Sequence, residues 1–329
     1  MTSPRRVGTL CSARGVAQPG SALRSGRRGP QFKSGHPDGD VGEPRFPHVR
    51  SLTWGAIGPS PAESHRRTGR AGRGRPSAVD STPMALRDEI VAHADALLEI
   101  ERFPEFAPQG LQVIGSDAVT TIACGVSCSR ELFERSVGLG AQLVLVHHGL
   151  FWRNEPLVVD ARLRGRLEAL FAGDASLLAY HLALDAHPTL GNNAQLAGRI
   201  GAAPDRPFGS VGLGCTLDGV GLHELVARVT QAVERAPLVL PGGRERVERV
   251  AISTGAAGYD LAHAAHEGYD VLLTGEAEEP SAATAHELGI TLIAAGHHAT
   301  ERLGVQALAA HLAEQFALAW HYVEVDNPV

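Results

Sequence analysis

Five histidines and two carboxylates gather at three points of this sequence. His147 and His148 directly follow the apolar run QLVLV, His181 and Asp185 bracket HLALD, and His297, His298 and Glu301 lie in HHATE. In open α/β sheets, sites form beyond the carboxyl ends of strands, where loops converge. Adjacent residues inside a strand point to opposite faces, so His147 and His148 can serve one cluster if they lie just past the strand, where Gly149 lets the chain turn. A spacing of four places His181 and Asp185 on one face of either a strand or a helix turn. Asp185 at the end of an apolar run calls for a cation, although an Asp there also suits a helix N-cap. His297 and Glu301 repeat that offset at a strand-to-helix transition, where a first-turn Glu is also favoured by the helix dipole.

Each pair has an ordinary structural reading alone, but together they give His147, His148, Asp185, His297 and Glu301 as nitrogen and oxygen donors without thiolate. Three imidazoles and two carboxylates exceed the needs of one tetrahedral ion and suit two ions sharing a carboxylate. Zn, Mn and Fe(II) all accept such ligands. His181, His187 and His298 lie close by in sequence and titrate in the range useful for proton transfer, with His181 and His298 the catalytic candidates and His181 favoured by its spacing.

Alternating helices and strands must position these groups. Hydrophobic periodicity predicts helices over 86–98, 131–137, 163–170, 193–200, 222–233, 261–267, 281–288 and 302–316. Apolar, strand-like runs cover 119–126, 142–146, 177–184, 247–253, 271–274, 291–295 and 320–325. Apolar strands between amphipathic helices imply largely parallel sheets covered on both faces. GAQLVLVHHG (140–149) and GYDVLLTG (268–275) echo one another, each followed by a helix and a further strand. The expected architecture is therefore α/β, two similar lobes with the metal site in the cleft between them. A Pro/Gly-containing stretch at 202–214 marks the boundary, giving lobes of 84–204 and 205–329. The turn 253–258, between a strand and a helix, is a place for phosphate or simply a tight turn.

The chain has 329 residues and a formal net charge of −6. Residues 1–83 hold 14 of the 30 Lys+Arg but 5 of the 36 Asp+Glu, and 10 of the 20 prolines. That stretch has no hydrophobic period and reads as a disordered basic extension. It is also expected not to be native, because Met84 is the only methionine after Met1 and the core-forming pattern begins there. The remainder carries 16 Lys+Arg against 31 Asp+Glu, a balance that disfavours non-specific nucleic-acid binding. No apolar run spans a bilayer, and four irregularly spaced cysteines give neither a disulfide framework nor a thiolate cage. A cytoplasmic setting is expected.

VHHGLFW (146–152), HLALDAHPTLGNNAQLA (181–197), STGAAGYD (253–260), LLTGE (272–276) and GHHATERLGVQAL (296–308) resemble the GTP cyclohydrolase I type 2, or Nif-three-like, family of dinuclear metal proteins, as does APQGLQV (107–113). The likeness runs in order from about residue 84 to the C-terminus. It implies two α/β lobes, a ring-shaped homohexamer, and a pair of divalent ions held by His147, His148, Asp185, His297 and Glu301, with Glu301 bridging. Some members carry a His shortly after the LLTG turn, where this chain has Pro280. The family name implies attack at C8 of the guanine of GTP, with release of formate and 7,8-dihydroneopterin triphosphate. Three functions follow: a metal-dependent hydrolase of a nucleotide-like small molecule, a metal-dependent phosphoesterase, or a non-catalytic metal-binding partner protein. With no Walker A loop and no GxGxxG after a strand, the sequence shows no nucleotide pocket. Phe151 and Trp152 are candidates to wall the cleft.

Overall fold

The computed structural model describes residues 84–329 apart from Asn154, so the extension expected over 1–83 lies outside the described residues. β1 (Ala85–Leu86), α1 (Arg87–Leu98), β2 (Gly110–Val113) and β3 (Ala118–Val119) open the described chain. A regular alternation follows: β4 (Thr121–Ser127), α2 (Arg130–Gly138), β5 (Leu143–His148), α3 (Ala161–Ala172) and β6 (Ser176–Ala179). The short α4 (Leu182–Asp185) and α5 (Asn192–Ile200) lead to β7 (Ala203–Phe208), β8 (Gly212–Gly221), α6 (Leu222–Val233) and β9 (Leu238–Leu240). A second alternation closes the chain: β10 (Arg246–Ser253), α7 (Leu261–His266), β11 (Val271–Thr274), α8 (Ser281–Leu288), β12 (Thr291–Ala294), α9 (His297–Phe316) and β13 (Ala319–Tyr322).

Local chemistry sets several of these boundaries. Ser129 caps α2 by accepting a hydrogen bond from the Leu132 amide at 3.0 Å, and Asp160 caps α3 through the Leu163 amide at 2.7 Å. Gly289 ends α8 and Gly201 ends α5 in the left-handed conformation that glycine adopts without a Cβ penalty.

Two main sheets result, beside a small β1–β3 pair. The first runs in the order β13-β4-β5-β6-β2, the second β7-β8-β10-β11-β12-β9. β4, β5 and β6 are parallel in one, and β10, β11 and β12 in the other, so each half contains a βαβαβ unit, as the echoed glycine-strand patterns predict. Helices cover both faces. α1 and α9 pack on one side of the first sheet through Ile90, Leu98, Leu308 and Leu312, and α2 and α3 on the other through Phe133 and Leu170. In the second sheet, α5, α6 and α9 cover one face through Leu196, Val229 and Leu303, while α7 and α8 cover the other through Leu261 and Ala285.

Helix α9 thus serves both cores, Leu303 on the second sheet and Val305, Leu308 and Leu312 on the first. A helix apolar on so many sides must be buried, and its twenty residues are the element shared between the two sheets. Its first turn carries His297 and Glu301.

Four elements differ from the sequence reading. The expected strand over 177–184 stops at Ala179, and LALD forms the single turn of α4, because a short apolar run fits a buried helix turn as well as a strand. The stretch at 202–214, expected as a lobe boundary, is instead the β7–β8 hairpin; Pro204 and Pro207 are tolerated because β7 is an edge strand. The last strand, expected within the second lobe, pairs in parallel with β4 of the first sheet. The final helix begins at His297 rather than near residue 302.

Candidate metal centre

The site lies at the carboxyl ends of β5, β6 and β12. His147 and His148 are not beyond the strand, as their sequence reading expected, but are its last two residues. They converge because the flanking pairing runs out: β5 leaves β6 after the Val146–Ala179 pair, while Ser127 still opposes His148 on β4. The two rings lie 4.8 Å apart between centroids. His147 is wholly buried, and its Nδ1 donates to the Tyr180 carbonyl at 2.8 Å, so Nε2 is its free donor atom. His148 Nδ1 is held by the Ser127 hydroxyl at 2.8 Å.

Asp185, at the end of α4, and Glu301, one turn into α9, face this pair. His147 Nε2 lies 3.4 Å from Asp185 Oδ2 and 3.6 Å from Glu301 Oε1. The other Glu301 oxygen, Oε2, lies 3.1 Å from His148 Nε2 and 3.0 Å from His297 Nε2. Three sets of donor atoms fall within 4.8 Å of one another: His147, Asp185 and Glu301; His148, His297 and Glu301; and His147, His148 and His181. The five ligands expected from sequence are therefore brought together, with Glu301 in two of the sets and the candidate His181 in the third.

Two of these atoms, His147 Nε2 and Glu301 Oε2, are buried without a hydrogen-bond partner among the described residues. A buried donor-acceptor set left unpaired is costly in a protein interior. A cation shared between these imidazoles and carboxylates would satisfy both atoms, so the donor set fits a metal ion.

The electrostatics agree. Burial would push Glu301 up, but the imidazoles of His147, His148 and His297 outweigh it and hold the carboxyl well below its usual range. Burial lowers His148, which favours the neutral imidazole that a metal ligand requires. Burial also opposes charge on His147 and His297, yet Asp185 and Glu301 raise the first well above its ordinary value, and Glu301 with Glu276 raises the second to about 9.

A supporting layer that the sequence reading did not single out orients these groups. Glu276, in the quoted LLTGE turn, accepts from His297 Nδ1, and Glu105 accepts from His181 Nδ1 at 2.6 Å. Asn192 donates to Asp185 Oδ1 at 2.8 Å and accepts from the Gly304 amide of α9 at 2.6 Å. Gly255, at φ +72°, passes so close that a Cβ there would lie 2.2 Å from Glu301 Oε1. The amides of Gly255 and Ala257 are already bonded to the Thr300 and Thr274 hydroxyls, so the 253–258 turn braces the site rather than offering those groups to phosphate.

The remaining histidines sort differently. His298 points away: its Nε2 bonds Glu324 at 2.9 Å and it lines a separate small hollow with Val323 and Asn327, because residues adjacent on a helix face different sides. His187 accepts from the Leu190 amide at 3.0 Å and folds its own loop. Trp152 packs edge-on against His148 and His181, with centroids 5.5 and 5.1 Å away, and walls a cleft of about 540 Å³ that opens onto His297 and Glu301. Phe151 instead lines a neighbouring apolar hollow. Cys124 and Cys128 are buried thiols pushed up by burial.

The family described as Duf34/NIF3 (NGG1p interacting factor 3) matches residues 85–328. A protein of Neisseria meningitidis named GTP cyclohydrolase 1 type 2 homolog is 40% identical over 248 residues, covering 74% of this chain and 100% of its own. A Pseudomonas aeruginosa protein of the same name is 42% identical over 246 residues, covering 73% and 97%. Among solved structures, protein ybgI, described as of unknown function, superposes with a TM-score of 0.72 at 38% identity, and TTHA1606 from Thermus thermophilus with 0.70 at 35%. Both comparisons cover 74% of this chain and 100% of the other. At 20% identity and a TM-score of 0.66, HcgD from Methanocaldococcus jannaschii shares the fold, over 74% of this chain and 99% of its own. With the family match spanning the whole described fold, and relatives of this identity over nearly their full length, the chain belongs to the Duf34/NIF3 (NGG1p interacting factor 3) family.

Proposed function

We propose that this chain is a dinuclear-metal-dependent hydrolase of the GTP cyclohydrolase 1 type 2 kind. The observation that carries the reading is Glu301, whose two oxygens face different imidazoles, Oε1 towards His147 and Oε2 towards His148 and His297. In this reading His147 and Asp185 would hold one divalent ion and His148 and His297 the other, with Glu301 available to both. Ions so held would supply Lewis acidity and lower the pKa of bound water. His181, its Nδ1 engaged by Glu105, presents Nε2 to take or deliver a proton. Glu105 fixes that tautomer, and Trp152 keeps bulk water from one side of the cleft. The name of the relatives favours GTP as substrate, opened at C8 of guanine to give formate and 7,8-dihydroneopterin triphosphate.

A second reading, a metal-binding interaction protein without turnover, is favoured by the family description as an interacting factor. Incubating the metal-loaded full-length chain with a nucleotide panel separates them. Formate from GTP, lost in His147→Ala and Glu301→Gln, supports the first. Phosphate release identifies a phosphoesterase, and bound metal with no turnover identifies the second.

Homohexameric assembly in the cytoplasm, with a small-molecule substrate and no nucleic-acid partner, belongs to the same proposal. Leu157, Val158 and Val159 are 97%, 64% and 64% exposed, an apolar stretch suited to contact with another copy. Light scattering giving six chains per particle is the expected result. Among the described residues no helix is long and apolar enough to cross a membrane.

A further inference from the structure

The cleft has a second side, built from α3. Arg162 and Arg166 lie four residues apart on that helix, which puts them on one face about one turn apart, and both line the same cleft as His148, His181 and Glu301. Their situations differ. Arg162 is clamped by both carboxylate oxygens of Glu155 and has Asp160 4.0 Å away. Arg166 is half-buried and has no ion-pair or hydrogen-bond partner among the described residues. It lines the cleft together with the buried Cys128 and with Glu155, so part of the side chain is within the cleft rather than wholly in solvent. The neighbouring Arg164, on the outer side of α3, pairs with Glu168 at 2.6 Å and lines no part of this cleft.

A guanidinium with five fixed donors, partly desolvated and left unpaired, is poised for a planar or tetrahedral oxyanion. The acids that face it are Glu155, already shared with Arg162, and across the cleft Asp260. Asp185 and Glu301 on the floor are directed to the imidazoles. Glu155 and Asp160 are thus engaged with Arg162, and Arg166 is the cation of this wall left without an ion-pair partner among the described residues.

We propose that Arg166, with Arg162 beside it, is the anion subsite of the cleft and binds the phosphate chain of the substrate while its reacting group lies over the histidine cluster. The inference rests on the proposed hydrolase reading for the identity of that reacting group, but the anion site itself does not need turnover. Arg166 is a specificity-determining residue in this account. It selects phosphorylated over unphosphorylated forms of the same molecule, and Glu155 holds Arg162 in place beside it.

The test is titration calorimetry of inorganic tripolyphosphate into the full chain, metal-loaded and metal-free, for the wild type, Arg166→Gln and Arg164→Gln. Loss of a charged hydrogen-bonding partner should weaken tripolyphosphate binding about tenfold or more in Arg166→Gln. Arg164→Gln should bind within about twofold of the wild type, since an exposed, paired arginine contributes little. Metal content should be the same in all three. No binding to the wild type, equal binding by Arg166→Gln, or an equal loss in Arg164→Gln overturns the inference. Arg166-dependent binding by a chain that takes up no metal supports the anion site while refuting the hydrolase reading. If GTP is turned over, Arg166→Gln raises KM for GTP more than for guanosine; equal effects on both would also overturn it.

Discussion

Asn192 gives the most demanding prediction, because its side chain joins the Asp185 carboxylate of α4 to the backbone of α9. It is wholly buried, donates to Asp185 Oδ1 at 2.8 Å and accepts from the Gly304 amide at 2.6 Å. Gly304 leaves it room: a Cβ there would lie 2.7 Å from the Asn192 side-chain oxygen. In Asn192→Ala the bond to the charged Asp185 is lost, worth about 1.5–3 kcal/mol, and the bond to a backbone amide, worth about 1 kcal/mol. A small cavity adds to this, so the destabilisation should be about 3–5 kcal/mol. At about 2–4 °C per kcal/mol for a fold of this size, Tm should fall by roughly 6–20 °C. Asp185, no longer oriented, should also hold metal about 10–100-fold less tightly, the usual cost of removing a partner behind a ligand. Thermal melts in chelator and in saturating Zn or Mn, with a metal titration, measure both quantities. A variant that melts within about 2 °C of the wild type and binds metal equally well would refute the reasoning.

Other predictions follow from the same geometry. His297, raised to about 9, stabilises the metal-free fold fully below its unfolded value near 6.5, and this contribution is lost as pH rises through 9. The metal-free Tm should therefore drop between pH 6.5 and 9 while the Tm gain on adding metal grows, because the ion must displace that proton; a metal-induced gain that is flat over this window would contradict it. Gly255→Ala, whose Cβ would sit 2.2 Å from Glu301 Oε1 at a left-handed φ of +72°, should reduce bound metal by at least one ion per chain, read by elemental analysis. His298→Ala should leave metal content unchanged, since His298 bonds Glu324 away from the cleft; loss of an ion there would show that the site extends further than the geometry indicates.

Much of the architecture is legible in one dimension. The clean amphipathic period of α6 and the apolar β11 give their residue bounds directly, and the glycine-strand echo anticipates the two βαβαβ units. The metal-ligand candidates are legible because each lies at or just past the carboxyl end of a strand, β5 and β6 in the first sheet and β12 in the second. What sequence could not supply has a physical cause in each instance. LALD in α4 carries no period that separates strand from helix turn. β7 hides behind two prolines that only an edge strand accepts. The first turns of α9, HHATE, spend His297 and Glu301 on the site and His298 on Glu324, so they lack the apolar pattern that marks a helix. Glu105 meets His181 across 76 residues and Asn192 meets Gly304 across 112, distances at which no local spacing rule operates. His298 is adjacent to His297 in sequence, but neighbours on a helix diverge, and it bonds Glu324 away from the site.

The central claim is that two divalent ions sit between these side chains and share Glu301. Elemental analysis of full-length protein purified without chelator or affinity-column metal, on the wild type and Glu301→Gln, tests it most directly. Two ions per chain in the wild type and one or none in Glu301→Gln is the predicted result. A wild type with no bound ion after reconstitution, or a Glu301→Gln variant that keeps both, would contradict it.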